Sequence, residues 1–202
     1  MYTLVLTHDI DYLSLKEIPW FCRTLWGFSY RCFLAAFTSK LGTRSFRRRA
    51  RVLWDGISMP LIKLGWRSDP WASSLEQMIE IEKHLGVRST IYFLPFPNQP
   101  GSTPAGMAAP YNRTSFYDVG DHSEMLRLLE SEGWEIGLHG INAYWDESSA
   151  LEEKGKIEEI LGHDNIGIRM HWLYYNHEQT WSLLSRVGFR YDATHGWNEK
   201  VG

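Results

Sequence analysis

The 202-residue sequence predicts an α/β fold with parallel strands, and three observations carry that prediction. From Asp69 onward, short runs rich in apolar, β-branched and aromatic residues alternate with segments of helical period. Gly86, Gly133 and Gly188 each follow a helical segment, where a left-handed closing residue is expected. Titratable residues sit where most of the strand-like runs stop. In a parallel β/α barrel, that is the end at which chemistry collects.

The first run, Met1-Tyr-Thr-Leu-Val-Leu-Thr7-His8-Asp9-Ile10-Asp11, reads as a strand ending in two acids. Alternate residues of a strand share a face, so Asp9 and Asp11 point the same way and His8 points away. Two readings fit the pair. Neighbouring carboxylates repel unless a cation or proton lies between them, which suits one acid on a metal and one accepting a proton. Asp also favours turns, so a strand running into an Asx-type turn fits as well.

Residues 12–68 break the rhythm with an aromatic and basic region predicted to hold one to three helices, a helical insertion after the first strand. A helix is expected next over 74–85, with Leu75, Met78, Ile79 and Glu82 on one face. A strand is expected at 87–94, then a Pro, Gly and Asn-rich loop at 95–113. A helix at 121–131, a strand at 134–138 ending at His139, a helix at 149–161 and a strand at 166–169 come next. A helix at 178–187 and a fifth strand at 189–192 complete the reading. The whole, 1–202, is expected to be a single domain. Titratable groups at strand ends are Asp9 and Asp11, His139, Arg169 and His171, and Asp192.

Bulk composition narrows the function classes. The net charge of −3 gives no case for nucleic acid. Its distribution is uneven: residues 16–67 carry eleven Lys/Arg against Glu17 and Asp55, while the rest is acidic. Those arginines form either the solvated face of an insertion or, interleaved with Trp and Phe, a surface that docks at anionic lipid headgroups. Cys22 and Cys32 have neither metal-type nor redox spacing, so reduced thiols are expected. No run reaches 18 apolar residues, and the N-terminus lacks a basic region followed by an apolar core. The expected location is therefore the cytoplasm, with peripheral membrane contact through 12–68 as an addition.

Four segments, taken in order, bear a family resemblance: Thr7-His8-Asp9-Ile10-Asp11, Glu135-Ile-Gly-Leu-His139-Gly, Gly167-Ile-Arg169-Met-His171-Trp-Leu and Tyr191-Asp192-Ala-Thr-His-Gly196. Together they resemble the polysaccharide deacetylase family, which includes the NodB-type carbohydrate esterases, and within it the branch with a Thr-His-Asp-x-Asp first motif. The resemblance covers 1–11 and roughly 69–202. It implies a distorted or incomplete β/α barrel, lacking its C-terminal part here, that holds a divalent metal. Zinc is usual, with cobalt, nickel or manganese as alternatives. The implied reaction is hydrolysis of the C–N bond of an N-acetyl group on a glycan or lipid-linked glycan precursor. Asp9 would be the general base and Arg169 the group that holds it. Asp11 and His139 would be metal ligands, and Asp192 would orient a further acid group.

The sequence departs from the family pattern in two places. Ala143 stands where a second histidine is common, which leaves His171, or after it Asn142, as third ligand. The later histidine that serves as general acid has no counterpart, with His195 as a substitute. Tyr144, Trp172 and Trp197 follow the motifs and suit either a sugar-stacking wall or core packing. Two alternatives to the deacetylase reading are a hydrolase of small cyclic amides and a catalytically inactive glycan-binding or assembly module of the same fold.

Overall fold

The computed structural model describes residues 5–37 and 46–195. The chain divides into two compact units, one formed by Met1–Asp11 with Glu82–Gly202, the other by Tyr12–Ile81.

The first unit is mixed α/β, a parallel half-barrel of four strands in the order β1-β2-β3-β4. Its strands are β1 (Thr7–Ile10), β2 (Thr90–Phe93), β3 (Glu135–Gly140) and β4 (Ile168–Met170). Register pairs Asp9 with Tyr92, Tyr92 with Gly137, and His139 with Arg169. Strand β2 is buried along its whole length, as expected for a parallel strand covered on both faces. Helices α5 (Ser123–Ser131), α6 (Glu147–Leu161) and α7 (Thr180–Val187) supply apolar faces to the core through residues such as Leu126, Ile157 and Leu184. The fifth strand expected at 189–192 is reduced to one parallel bridge between Ile168 and Asp192.

Strands begin later than their apolar runs suggest, and the helix closures explain why. The N–H groups of Val87, Trp134 and Phe189 turn back to the carbonyls of Glu82, Leu129 and Leu184. Each lies just past a glycine of positive φ, so a residue of strand-forming type is used in closing the preceding helix. Helix α6 begins two residues earlier than expected because Asp146 caps it by accepting the Ser149 N–H.

Helices α1 (Arg23–Phe37), α2 (Phe46–Ile57) and α3 (Met59–Lys63) belong to the second unit, as does most of α4 (Pro70–Leu85). Helices α1 and α2 approach closely at Gly56, where an added Cβ would come within 2.8 Å of the Cys32 Cβ and 3.1 Å of the Ser29 carbonyl oxygen. Both cysteines are buried, and neither is in a disulfide. Buried Asp69 organises the entry to α4. Its carboxylate accepts the Ser14 hydroxyl and the Leu15 N–H, each at 2.7 Å, and the Trp71 N–H at 2.9 Å.

In the first unit, Glu82 is a buried carboxylate satisfied by three side chains. His8 Nε2 lies 2.7 Å from one oxygen, while Trp134 Nε1 and the Ser89 hydroxyl donate to the other at 2.6 and 2.8 Å. His8 thus faces away from the acids of its own strand. Burial pushes the Glu82 carboxyl up, but hydrogen bonds from His8, Trp134 and Ser89 outweigh it and leave the pKa below the ordinary value. A lowered carboxyl pKa contributes stability that is present above the unfolded value of about 4.3 and fades as pH falls through the folded one. Glu82→Gln is therefore expected to lose about 2 kcal/mol near pH 7, and the difference from wild type should shrink in denaturant melts below about pH 4.

Candidate metal centre

β1 ends at Ile10, and Tyr117 fixes the chain there. Its hydroxyl donates to the Ile10 carbonyl at 2.6 Å and accepts the Leu94 N–H at 2.8 Å, tying the ends of β1 and β2 together. Asp11 is the next residue. Its Oδ1 lies 3.4 Å from His139 Nε2 and 3.3 Å from His171 Nδ1, and these two nitrogens are 2.9 Å apart. The three ligand atoms lie within 4.8 Å of one another. His139 comes from β3, and His171 from the single helical turn that succeeds β4.

The outer nitrogens decide what the inner ones are. His139 Nδ1 lies 2.9 Å from the Arg169 carbonyl oxygen, and His171 Nε2 lies 2.8 Å from that of Arg113. A carbonyl can only accept, so each outer nitrogen carries the proton of the neutral ring. The inner nitrogens then face each other as bare lone pairs, beside a buried Asp11 Oδ1 that accepts no hydrogen bond. Burial holds the His171 pKa below its ordinary value, favouring the neutral ring despite Asp11. Two imidazoles and one carboxylate, each with its lone pairs turned inward, are a donor set that fits a divalent cation.

A second acid lies alongside. Asp9 is exposed, and its Oδ1 accepts from Arg169 Nη1 at 3.1 Å. The same guanidinium donates to Thr7 Oγ1 at 2.9 Å and, through Nε, to the Ala193 carbonyl at 3.1 Å. Arg169 therefore joins the two halves of the site: its side chain holds Asp9, and its carbonyl fixes His139.

The other predicted residues are placed by different contacts. Tyr144, considered for a substrate wall, is fully buried, and its hydroxyl donates to the Ser102 carbonyl at 2.8 Å, so it is core. Trp172 is 42% exposed, with its ring 6.0 Å from that of His171. Asp192, expected to orient an acid group, is exposed and closes a turn by accepting the Thr194 N–H at 2.8 Å. Thr194 in turn accepts the Met170 N–H at 2.8 Å. Asn142 uses its Oδ1 to accept the Ser102 N–H at 2.9 Å, and Ala143 is buried. His195 is exposed, its ring 6.0 Å from those of Tyr175 and His177. Trp197 lies outside the described residues.

Two supporting residues escape the sequence reading. Arg113 is buried at the end of the loop after β2 and grips His171 twice. Its carbonyl accepts the ring N–H, and its Nη2 donates to the His171 carbonyl at 2.8 Å and the Ile141 carbonyl at 3.0 Å. Its guanidinium also lies over the Tyr174 ring, 4.4 Å from the centroid. Gly101, at φ +72°, lets this assembly close, since an added Cβ would meet Asn142 Oδ1 at 2.5 Å. Glu153, buried on α6, accepts the N–H groups of Ile141 and Asn142, both at 2.7 Å, just past the strand that carries His139. Burial pushes its pKa up to about 7 against those hydrogen bonds. Glu153 falls at helical spacing with Ala150, Ile157 and Ile160, and an acid on an apolar face is a readable signal. Arg113 has none, because its neighbours read only as loop.

The turn that Arg113 grips is strained. Trp172 and Leu173 have φ of +59° and +55°, values costly for side chains of this size. The left-handed pair reverses the chain directly after His171 while the ring stays in the cluster.

No protein-family model matches the chain, and no curated protein does. Among solved structures, it is similar to a Mycobacterium smegmatis protein described as a "putative polysaccharide deacetylase". That likeness has 18% identity and a TM-score of 0.44, and covers 93% of this chain. The chain spans about half the length of that protein, 49%.

The double grip on His171 makes Arg113 a positioning residue. Arg113→Lys keeps the charge but lacks the planar fork that reaches several carbonyls at once. Affinity for zinc or cobalt, measured by calorimetric titration, is expected to fall about tenfold to a hundredfold. The cobalt absorption spectrum is expected to change with it.

Proposed function

We propose that this chain is a metal-dependent hydrolase of the polysaccharide deacetylase type. Its substrate would be an N-acetylated glycan or lipid-linked glycan precursor, cleaved at the C–N bond of the acetamido group. The observation that carries the proposal is the convergence of Asp11 Oδ1, His139 Nε2 and His171 Nδ1, with both imidazoles held in the tautomers that turn lone pairs inward.

Asp11, His139 and His171 would hold the metal. Zinc suits this nitrogen and oxygen set, with cobalt, nickel or manganese as alternatives. Bound there, it would polarise the amide carbonyl and lower the pKa of a coordinated water.

Asp9 is assigned the proton-accepting role. It is exposed to the solvent that would bring water and substrate, and one of its oxygens is anchored by Arg169. A charge-assisted bond of this kind aims the carboxylate and leaves its second oxygen for proton transfer. Trp172, exposed beside His171, offers an apolar ring face to a sugar. Among the described residues no helix is long and apolar enough to cross a membrane.

The test separates binding from chemistry. Elemental analysis of wild type is expected to give about one metal per chain, with Asp11→Ala and His171→Ala losing it. Asp9→Asn should keep the metal and lower kcat on N-acetylated oligosaccharides by about a hundredfold to ten-thousandfold. Full metal content in Asp11→Ala would sink the proposed centre. Metal bound by wild type without hydrolysis of any acetamido sugar would leave a glycan-binding module of the same fold.

A further inference from the structure

Helices α1 and α2 meet through small residues and turn several large aromatic ones out. The buried positions of α1 are Leu25, Cys32 and Ala36, and that of α2 is Gly56. The adjoining flank of α1 is a continuous aromatic stripe. Trp26, Tyr30, Phe33 and Phe37 recur at helical spacing and are 53–65% exposed. Phe33 and Phe37 stack on each other, with centroids 4.8 Å apart, rather than on a core. On α2, Phe46, Trp54 and Ile57 share a second stripe and are 52–85% exposed.

A helix pair stabilised in water alone would bury its aromatic side chains and expose its small ones. The inverse arrangement suits a pair whose outer face meets a nonpolar phase, while small residues let the helices approach each other. Within the described residues, α1 and α2 have 15 and 12 residues and are about 22 and 18 Å long, shorter than a hydrocarbon core of about 30 Å.

Charge selects the partner. Arg47, Arg48 and Arg51 are exposed on α2 next to its apolar stripe, and Arg23 and Arg31 are exposed on α1. Aromatic side chains beside arginines match a bilayer surface, with rings at the level of the acyl boundary and guanidinium groups among phosphates. We propose that the α1–α2 pair docks this protein on anionic lipid bilayers, lying in the interface rather than spanning it. Such an anchor would hold the chain at the surface where a lipid-linked substrate resides, and the docking itself does not depend on the metal centre.

Vesicle sedimentation with the full chain tests this. Wild type is expected to pellet with phosphatidylcholine vesicles containing phosphatidylglycerol, to pellet much less with phosphatidylcholine alone, and to be released by salt. Arg47→Glu combined with Arg48→Glu should lower partitioning about tenfold or more. Phe33→Ser combined with Phe37→Ser should abolish pelleting while leaving the circular dichroism spectrum and thermal melt unchanged, because both side chains are exposed. Three results would overturn the proposal. Wild type could stay in the supernatant with anionic vesicles, either double variant could pellet like wild type, or the aromatic face could be consumed in a dimer that binds no vesicle.

Discussion

Two imidazole nitrogens facing each other across 2.9 Å, with no proton of their own between them, are the constraint on which the centre depends. The arrangement is unfavourable unless something positive fills the gap, and burial of both rings removes water as a remedy. It persists because each ring is pinned from behind by a backbone carbonyl, one on β4 and one on the loop after β2. Those carbonyls belong to Arg169 and Arg113, whose own side chains are anchored in turn. Asp9 and Thr7 hold Arg169, while Ile141 and His171 hold Arg113. Ring orientation is thus set by a closed circuit of backbone and guanidinium bonds rather than by a single hydrogen bond.

The parallel sheet supplies half of that circuit without strain. Registering His139 opposite Arg169 places an imidazole and the carbonyl it needs on adjacent strands without any loop. The strained part is confined to the turn after β4, where two consecutive left-handed side-chain-bearing residues reverse the chain. Strain of this kind survives only where surroundings over-determine it. Here the double contact with Arg113 does so at the residue immediately before the pair.

The sequence makes the strand–helix rhythm and the strand-end residues legible because both depend on local patterns. Periodicity locates α4 to α7, and the titratable groups at or near the ends of β1, β3 and β4 stand out against apolar runs. Three kinds of feature stay hidden. Strand starts shift because Val87, Trp134 and Phe189 look like strand residues yet commit their N–H groups to helix closure. Tyr144 and Trp172 have the same chemical character, and only packing separates a buried ring from an exposed one. Arg113 acts across 58 residues of sequence on His171, through its guanidinium and through a main-chain carbonyl that carries no residue signature.

The two acids of the first strand show how position divides labour between chemically identical side chains. Asp9 lies within β1 and is exposed, with one oxygen on a guanidinium. Asp11 lies one residue beyond the strand, where the Tyr117 hydroxyl fixes the preceding carbonyl and one carboxylate oxygen is sealed against the imidazoles. A sealed oxygen without a hydrogen-bond donor is suited to holding a cation and poorly suited to exchanging protons with substrate. An anchored, exposed carboxylate is suited to the reverse. Asp192 is placed differently again. One of its carboxylate oxygens accepts the Thr194 N–H, and Thr194 in turn accepts the Met170 N–H at the end of β4.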